Sequence, residues 1–295
     1  MKSSSTEVMR DILAVGVIWG TSVFLQRVAV LAIDPLPMVT LRLLAAVAFF
    51  IPMIPRVVRG LAHQPRLLVD LGVVGLLNPA ATGLLSALAL RHASSGVVAV
   101  LLALGPVLTA VLAHMLLEER RLRWDQLTGL GVAFSGVVVL VATRSTGLSG
   151  VASGDSRGQW MALAIAALTA ASAIYSRRTL IHADPVAAAA GQMAASLVVV
   201  GVLTVALGGW AQAGPVPIRA WLAVGLSGAI GLSASFILFF KMIARDGATT
   251  STLALYVMPV VATLLGALFL KESITLAMTV GSALVLAGVF LFTRR

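Results

Sequence analysis

The chain contains no cysteine, and this absence excludes a disulfide framework, a thiolate metal site and a cysteine nucleophile. Its histidines are scattered and do not have the spacing of metal ligands: His63, His92, His114 and His182. The sequence has no Ser/His/Asp cluster and no pair of acidic residues within an apolar segment. We therefore predict no catalytic residue, no metal site and no cofactor.

Charge is also scarce, because charged residues make up 11% of the sequence, whereas a soluble domain has about a quarter. The chain is 59% hydrophobic and its mean hydropathy is +1.03. A membrane-spanning helix needs roughly 20 mostly apolar residues. Ten segments fit this description: 12–33, 36–55, 67–90, 94–117, 126–143, 158–178, 185–207, 218–243, 249–270 and 276–293. We therefore predict an all-α integral membrane protein with ten transmembrane helices, surrounded by a lipid bilayer.

The sequence contains an internal repeat. Pro106 matches Pro259 at a spacing of 153, and Arg27 matches Arg177 at a spacing of 150. Repeats embedded in apolar segments are typical of membrane transporters. We predict a first five-helix repeat over 1–143, a Gly/Ser-rich linker over 144–157 and a second five-helix repeat over 158–295. Because five is an odd number, the second repeat must enter the membrane inverted relative to the first.

The net charge of +10 comes from basic residues in short loops between the apolar segments. In a membrane protein this distribution indicates topology and not binding to nucleic acid, so no nucleic-acid partner is predicted. With both termini in the cytoplasm, the inner side holds 14 Lys and Arg residues and the outer side 5. The excess predicts that both termini are cytoplasmic. The short polar stretch before the first apolar segment has no cleavage-site pattern, so that segment is predicted to be a retained helix.

Several local motifs carry a family resemblance. Ile18-Trp19-Gly20 lies in the first helix and Leu41-Arg42-Leu43 in the second, and the paired prolines each precede a Leu-x-Glu-like turn: Leu117-Glu-Glu and Leu270-Lys-Glu. The chain resembles the EamA family of the drug/metabolite transporter superfamily over residues 12–293. This resemblance implies ten helices around a central cavity and, often, export of amino acids or other small metabolites from a cell through its inner membrane. The pattern departs from symmetry at Arg42, whose repeat counterpart is Gln192.

Polar side chains on the third helix are candidates for the transport pathway. Asn78, Thr82 and Ser86 recur at four-residue spacing and therefore share one stripe. The matching stretch of the eighth helix, 153 residues later, contains Gly231 and Ser235. Polar groups within a bilayer are expected to face the bundle interior or a water-filled cavity. The alternative is that the small hydroxyl residues bond to the preceding turn or permit close helix packing.

Trp19 and Tyr256 lie about seven residues into their helices, near mid-depth, where either could contact substrate or only fill the core. Arg42 lies near the outer end of its helix. It either reaches the interface or pairs with Asp34, or it attracts the carboxylate of a substrate. The predicted substrate-binding set is therefore Trp19, Arg42, Asn78, Thr82, Ser235 and Tyr256.

Taken with the resemblance, these features predict a transporter of small molecules, an exporter of amino acids or related metabolites that works by alternating access. The alternatives are an integral-membrane enzyme and a non-transporting membrane subunit. Every acidic residue falls at a helix end, in a loop or in the N-terminal tail, so no carboxylate lies near mid-membrane to relay protons. We therefore expect a facilitator, or a carrier coupled through the charge of its substrate. The sequence indicates no oligomeric state.

Overall fold

The computed structural model describes residues 5–61, 65–116, 124–143, 147–148, 156–210 and 215–293. These residues form ten helical segments and, in this part of the chain, no strand. Of the two Leu-x-Glu-like turns, the structure describes the one that contains Glu272. Glu118 and Glu119 of the other turn, and most of the predicted linker, lie outside the described residues.

The segments are close to the predicted ones. They are α1 Ser5–Val30, α2 Pro35–Leu61, α3 Pro65–His92, α4 Ser95–Leu116, α5 Trp124–Ala142, α6 Arg157–Thr179, α7 Pro185–Ala206, α8 Ile218–Asp246, α9 Ala248–Leu270 and α10 Leu276–Thr293. A proline begins α2, α3 and α7, where its missing N–H leaves no helical hydrogen bond unmade. Among the described residues, eight of the ten segments are long and apolar enough to cross a membrane, and α10 contains a shorter apolar helix, Leu276–Gly288. The prediction of an all-α, multi-pass membrane protein is confirmed.

Two helices contain a π-helical segment at matching positions of the repeat. A π-helical segment interrupts α3 at Leu76–Ala81, and another interrupts α8 at Ala229–Ala234, 153 residues later. Within the first, Asn78 has an extended backbone with φ −155° and ψ 119°. Helix breaks at membrane depth are tolerated where protein or a water-filled cavity satisfies the freed backbone groups. In α3, the extended backbone at Asn78 therefore frees a backbone group that needs a partner in the interior.

The prolines of α4 and α9 also lie beside helix interruptions. Regular helix resumes at Gly105 in α4 and at Met258 in α9, so Pro106 and Pro259 each occupy the first turn of the resumed helix. In α9 the preceding turn is a 3₁₀ helix, Leu253–Tyr256. A proline cannot donate the helical hydrogen bond, so an interruption immediately before it relieves the mismatch.

The contacts between helices also recur at the repeat spacing. Arg27 of α1 donates to the carbonyl oxygen of Leu90 in α3, and Arg177 of α6 donates to that of Ile243 in α8 at 2.9 Å. Leu90 and Ile243 are again 153 residues apart. Both arginines bind the last turn of a helix, where carbonyl groups lack helical donors. Arg27 and Arg177 thus each join two helices and have an architectural role.

The two repeats interlock. α1 packs against α8 and α9, and α6 packs in the matching way against α3 and α4. The last helices of the repeats, α5 and α10, pack on each other through glycines: a Cβ at Gly136 would lie 2.6 Å from the Gly281 carbonyl oxygen, and one at Gly288 would lie 2.5 Å from that of Gly129. Such close backbone approach is typical of small-residue packing in membranes. The other eight helices are left to form the central bundle.

Candidate functional site

A cavity of about 560 Å³ lies between α1, α2, α3, α4, α6, α8 and α9. This figure includes space open to the surroundings, and the centre of a water-sized sphere can reach about 90 Å³ of it. The polar lining comes from Trp19, Ser22, Gln26, Arg42, Asn78, Thr82, Ser86 and Thr169, and the remainder from Val23, Pro79, Gly83, Leu102, Ile165, Gly231, Leu232, Phe236, Leu255 and Met258. No Asp or Glu is among these residues. The cavity therefore has one formal positive charge, several neutral polar groups and an apolar remainder.

The structure brings together four of the six predicted site residues. Trp19, Arg42, Asn78 and Thr82 line the cavity. Ser235 does not line it but lies behind Trp19, whose indole Nε1 donates to the Ser235 hydroxyl at 2.9 Å. Tyr256 is outside the lining, and its buried hydroxyl has no hydrogen-bond partner among the described residues.

Trp19 is held as part of an aromatic wall. Its ring centroid lies 5.8 Å from that of Phe236, which also lines the cavity, and 5.1 Å from that of Phe239. Tilted and edge-to-face arrangements at these distances are favourable for aromatic pairs. Because Ser235 in turn donates to the Gly231 carbonyl at 2.7 Å, the indole is fixed to the turn that breaks α8.

Asn78 has two roles at the break in α3. Its carbonyl oxygen accepts from Nε2 of Gln192 in α7, so a backbone group freed by the break is satisfied across the bundle. Its side-chain Oδ1 accepts from the Thr82 hydroxyl at 3.0 Å. Among the described residues, no acceptor takes a hydrogen bond from the Asn78 amide nitrogen, which carries two N–H groups. That nitrogen is therefore available to a molecule in the cavity.

Arg42 is 5% exposed and lies in the cavity wall. Its Nη2 donates to the Ser22 hydroxyl at 3.0 Å and its Nε approaches the Ser227 carbonyl at 3.4 Å, both neutral groups. Asp34 does not pair with it, because that carboxylate binds Arg91. Within the described residues, no carboxylate lies at ion-pair distance from Arg42. Burying a charge in this position costs free energy unless an anion or a water molecule interacts with the guanidinium.

The carboxylate of Glu272 crosses from the end of α9 to α4, where it accepts from the Ser95 amide at 3.1 Å and from the Ser95 hydroxyl at 2.5 Å. It also lies 3.5 Å from Nε of Arg27. A carboxylate at a helix N-terminus is stabilised by the helix dipole. The cluster ties α1, α4 and the end of α9 together outside the cavity.

Sequence reasoning missed three polar cavity residues on α1 and α6. Ser22 and Gln26 follow Trp19 at three and seven residues, which places all three on one face of α1. Gln26 donates to the Ser22 carbonyl at 3.3 Å, and its Oε1 is buried and has no partner in the described part of the chain. Thr169 of α6 occupies the repeat position of Trp19. The helical spacing from Trp19 could have identified Ser22 and Gln26 as cavity residues. The repeat spacing from Trp19 could have identified Thr169.

Comparisons with known proteins agree with this architecture. The EamA-like transporter family matches two parts of the chain, residues 11–142 and 156–294. A crystal structure of another protein, 23% identical, superposes with a TM-score of 0.71 over 98% of this chain and 97% of that chain. This likeness shows the fold alone.

Two relatives have names that bear on function. A "Probable terminal-alkyne amino-acid exporter" of Streptantibioticus cattleyicolor is 29% identical over 69% of this chain, and the match spans 66% of that relative's length. The "Uncharacterized inner membrane transporter YedA" of Escherichia coli (strain K12) is 27% identical over 86% of this chain and 79% of the relative. The prediction of a membrane transporter, and not an enzyme, is confirmed. The chain belongs to the EamA-like transporter family.

Proposed function

We propose that this protein exports amino acids, or closely related metabolites that carry a carboxylate, across a cell inner membrane. The observation that carries the proposal is the buried guanidinium of Arg42, which lines the cavity and, within the described part of the chain, has only neutral partners. A substrate carboxylate is the natural counterion, because guanidinium and carboxylate form charge-assisted hydrogen bonds.

The remaining lining suits the other end of an amino acid. An ammonium group needs acceptors, and the unpartnered Oε1 of Gln26 and the hydroxyls of Ser86 and Thr169 provide them without a competing carboxylate. The rings of Trp19 and Phe236 offer an aromatic surface for a cation or an apolar side chain. This arrangement favours a zwitterion over a dianion. The exporter of Streptantibioticus cattleyicolor, named for an amino acid, supports the same substrate class.

Transport would proceed by alternating access of two inverted repeats, 1–143 and 158–295, with both termini in the cytoplasm. The broken pairs α3 with α8 and α4 with α9 support this part of the proposal, since breaks at matching positions supply matching hinges. The excess of Lys and Arg on the predicted inner side supports the orientation.

The test is counterflow in proteoliposomes. Vesicles containing the purified protein are loaded with unlabelled norleucine, diluted, and given labelled norleucine outside. A carrier produces transient, saturable accumulation of label that protein-free vesicles do not show. The same experiment with straight-chain amino acids from alanine to 2-aminooctanoate defines the substrate range. Absence of counterflow for the whole series, with protein that is folded and correctly inserted, would overturn the proposal and favour a non-transporting membrane subunit.

A further inference from the structure

Two hydrogen-bond donors in the central cavity have no acceptor within the described part of the chain. One is the side-chain nitrogen of Asn78, and the other is Nη1 of Arg42. Both side chains line the cavity, and the two residues are 8% and 5% exposed, respectively. Because a buried donor without an acceptor costs free energy, each of these N–H groups favours a ligand that brings an oxygen to it.

The packing of α2 on α3 places the two donors at a similar depth. The helices are antiparallel, since an ion pair joins the end of α3 to the residue before α2. Gly83 of α3 lies close to Val39 of α2, because a Cβ at Gly83 would be 3.2 Å from Cγ1 of Val39. From this contact, Arg42 is three residues onward in α2 and Asn78 is five residues back in α3. These are displacements of about 4.5 Å and about 7.5 Å in the same direction.

Thr82 determines which atom of the Asn78 amide remains free. Its hydroxyl donates to Oδ1 of Asn78 at 3.0 Å, and regular helix resumes at Thr82, so the donor is held by the helix. An amide whose oxygen accepts this bond keeps both N–H groups of its nitrogen for another acceptor. Gln192 holds the same residue from the other side, through the backbone carbonyl oxygen of Asn78. The side chain is therefore anchored at its oxygen and at its backbone, with the nitrogen left for a ligand.

We propose that Arg42 and Asn78 bind the two oxygens of one substrate carboxylate, and that Thr82 is a positioning residue for Asn78. This inference rests on the proposed function and deepens it, because it assigns a second partner to the carboxylate. A carboxylate has two acceptor oxygens and no N–H or O–H group, so it matches two donors on neighbouring helices. An amide offers one acceptor oxygen and two further N–H groups, which cannot accept from Asn78 or Arg42. The two donors together therefore select a carboxylate over its amide.

The experiment measures the dissociation constants of norleucine and norleucine amide for the purified full-length protein, and its readout is the preference for norleucine over the amide. Asn78→Asp keeps the shape of the side chain but replaces the two N–H groups with an oxygen and places a carboxylate in the cavity with Arg42. We expect the preference to fall at least about 30-fold, because the substrate carboxylate loses a donor and meets a like charge.

Thr82→Val tests the positioning role, since it keeps the shape of the side chain and removes the hydroxyl. We expect the preference to fall about fivefold, the typical worth of one hydrogen bond, and Thr82→Ser to restore it. Thr109→Val is the matched control. Thr109 is buried in α4 and its hydroxyl donates to the Gly105 carbonyl at 2.8 Å, but it does not line the cavity. This variant should leave the preference unchanged.

The outcomes separate this inference from the proposed function. If norleucine binds in an Arg42-dependent manner but Asn78→Asp leaves the preference unchanged, or weakens both ligands equally, Asn78 serves only the fold of α3. The inference is then overturned and the proposed function stands. An unchanged preference in Thr82→Val overturns the positioning role of Thr82. If the wild-type protein binds no amino acid, both proposals fail. Size-exclusion profiles and thermal midpoints that match the wild type establish that each variant is folded.

Discussion

Gln192 of α7 donates a hydrogen bond from its side-chain amide to the carbonyl oxygen of Asn78, the residue at which α3 is broken. Its repeat counterpart, Arg42 of α2, reaches toward the Ser227 carbonyl of α8, four residues before Gly231, which is the repeat position of Asn78. The backbone contacts match as well, since Gly75 packs against the Gln192 carbonyl and Gly228 against that of Arg42. Both side chains thus reach the backbone of the helix that they face, but only Arg42 carries a charge. The polar groups of the cavity are therefore distributed asymmetrically between the two repeats.

The first prediction concerns the support of Trp19. Ser235→Ala removes the acceptor of the buried indole N–H, and an unpaired buried donor costs about 1–3 kcal/mol. We expect a lower thermal midpoint and a several-fold weaker affinity for norleucine. Ser135→Ala, on an exposed face of α5, is the control and should leave both unchanged. Unchanged affinity in Ser235→Ala would show that the orientation of Trp19 does not matter for binding.

Tyr256 is expected to behave as a packing residue. Because its buried hydroxyl has no hydrogen-bond partner among the residues that the structure describes, Tyr256→Phe removes an unsatisfied polar group. The free energy of unfolding should stay constant or rise by up to about 1 kcal/mol, and substrate affinity should not change. Thermal unfolding and equilibrium binding measure the two quantities. A loss of affinity greater than threefold would return Tyr256 to the binding site.

Asp184 at the start of α7 is predicted to contribute to stability in a pH-dependent way. It accepts from the amides of Val186 and Ala187 at 3.0 Å and from Arg56 at 2.7 Å. Partial burial raises the pKa of Asp184, but the hydrogen bonds from Arg56 and the two amides outweigh this and leave the pKa below its usual value. The stabilisation is therefore present above the unfolded pKa of about 4 and is lost as the pH falls through the lower folded value.

Asp184→Ala should accordingly destabilise the protein by about 1 kcal/mol at neutral pH, and the difference from the wild type should vanish in acid. The matched variant is Asp34→Ala at the same repeat position, where the carboxylate makes no capping hydrogen bond to α2. It should have a smaller effect. Unfolding at several pH values checks both; equal losses at the two positions would contradict the capping argument.

The proposed orientation predicts the sidedness of labelling. The natural absence of cysteine removes background reaction. A membrane-impermeant thiol reagent added outside intact cells should label Arg219→Cys and not Arg59→Cys, both of which are exposed positions. Reagent added to inverted vesicles should give the reverse. Labelling of Arg59→Cys from outside would refute cytoplasmic termini.

Much of the fold could be predicted from sequence because the bilayer imposes length, apolarity and repetition on every helix. The breaks in α3 and α8 were not predicted, although Asn78-Pro79 is a dipeptide that disfavours helix at its first residue. The stripe of Asn78, Thr82 and Ser86 still faces the cavity because regular helix resumes at Thr82.

Tyr256 shows why the sequence alone could not predict every residue that lines the cavity. Its depth was inferred from a regular helix, but the 3₁₀ turn Leu253–Tyr256 changes the rotation per residue. Leu255 and Met258 line the cavity, and Tyr256 is not among the lining residues. The contact of Glu272 with α4 could not be predicted from local sequence either, because it joins residues 177 positions apart.

The central claim is that Arg42 binds the carboxylate of the substrate, and the most direct measurement compares norleucine with norleucine amide in wild-type protein, Arg42→Lys and Arg42→Gln. Loss of one partner of a buried charge pair costs about 2 kcal/mol or more, which is about 30-fold in affinity. We predict that Arg42→Gln weakens norleucine binding by at least that factor, that Arg42→Lys is intermediate, and that the amide, which is a cation, binds the wild-type protein weakly and Arg42→Gln no more weakly than the wild type. A folded Arg42→Gln protein that still prefers norleucine to its amide as strongly as the wild type does would contradict the claim.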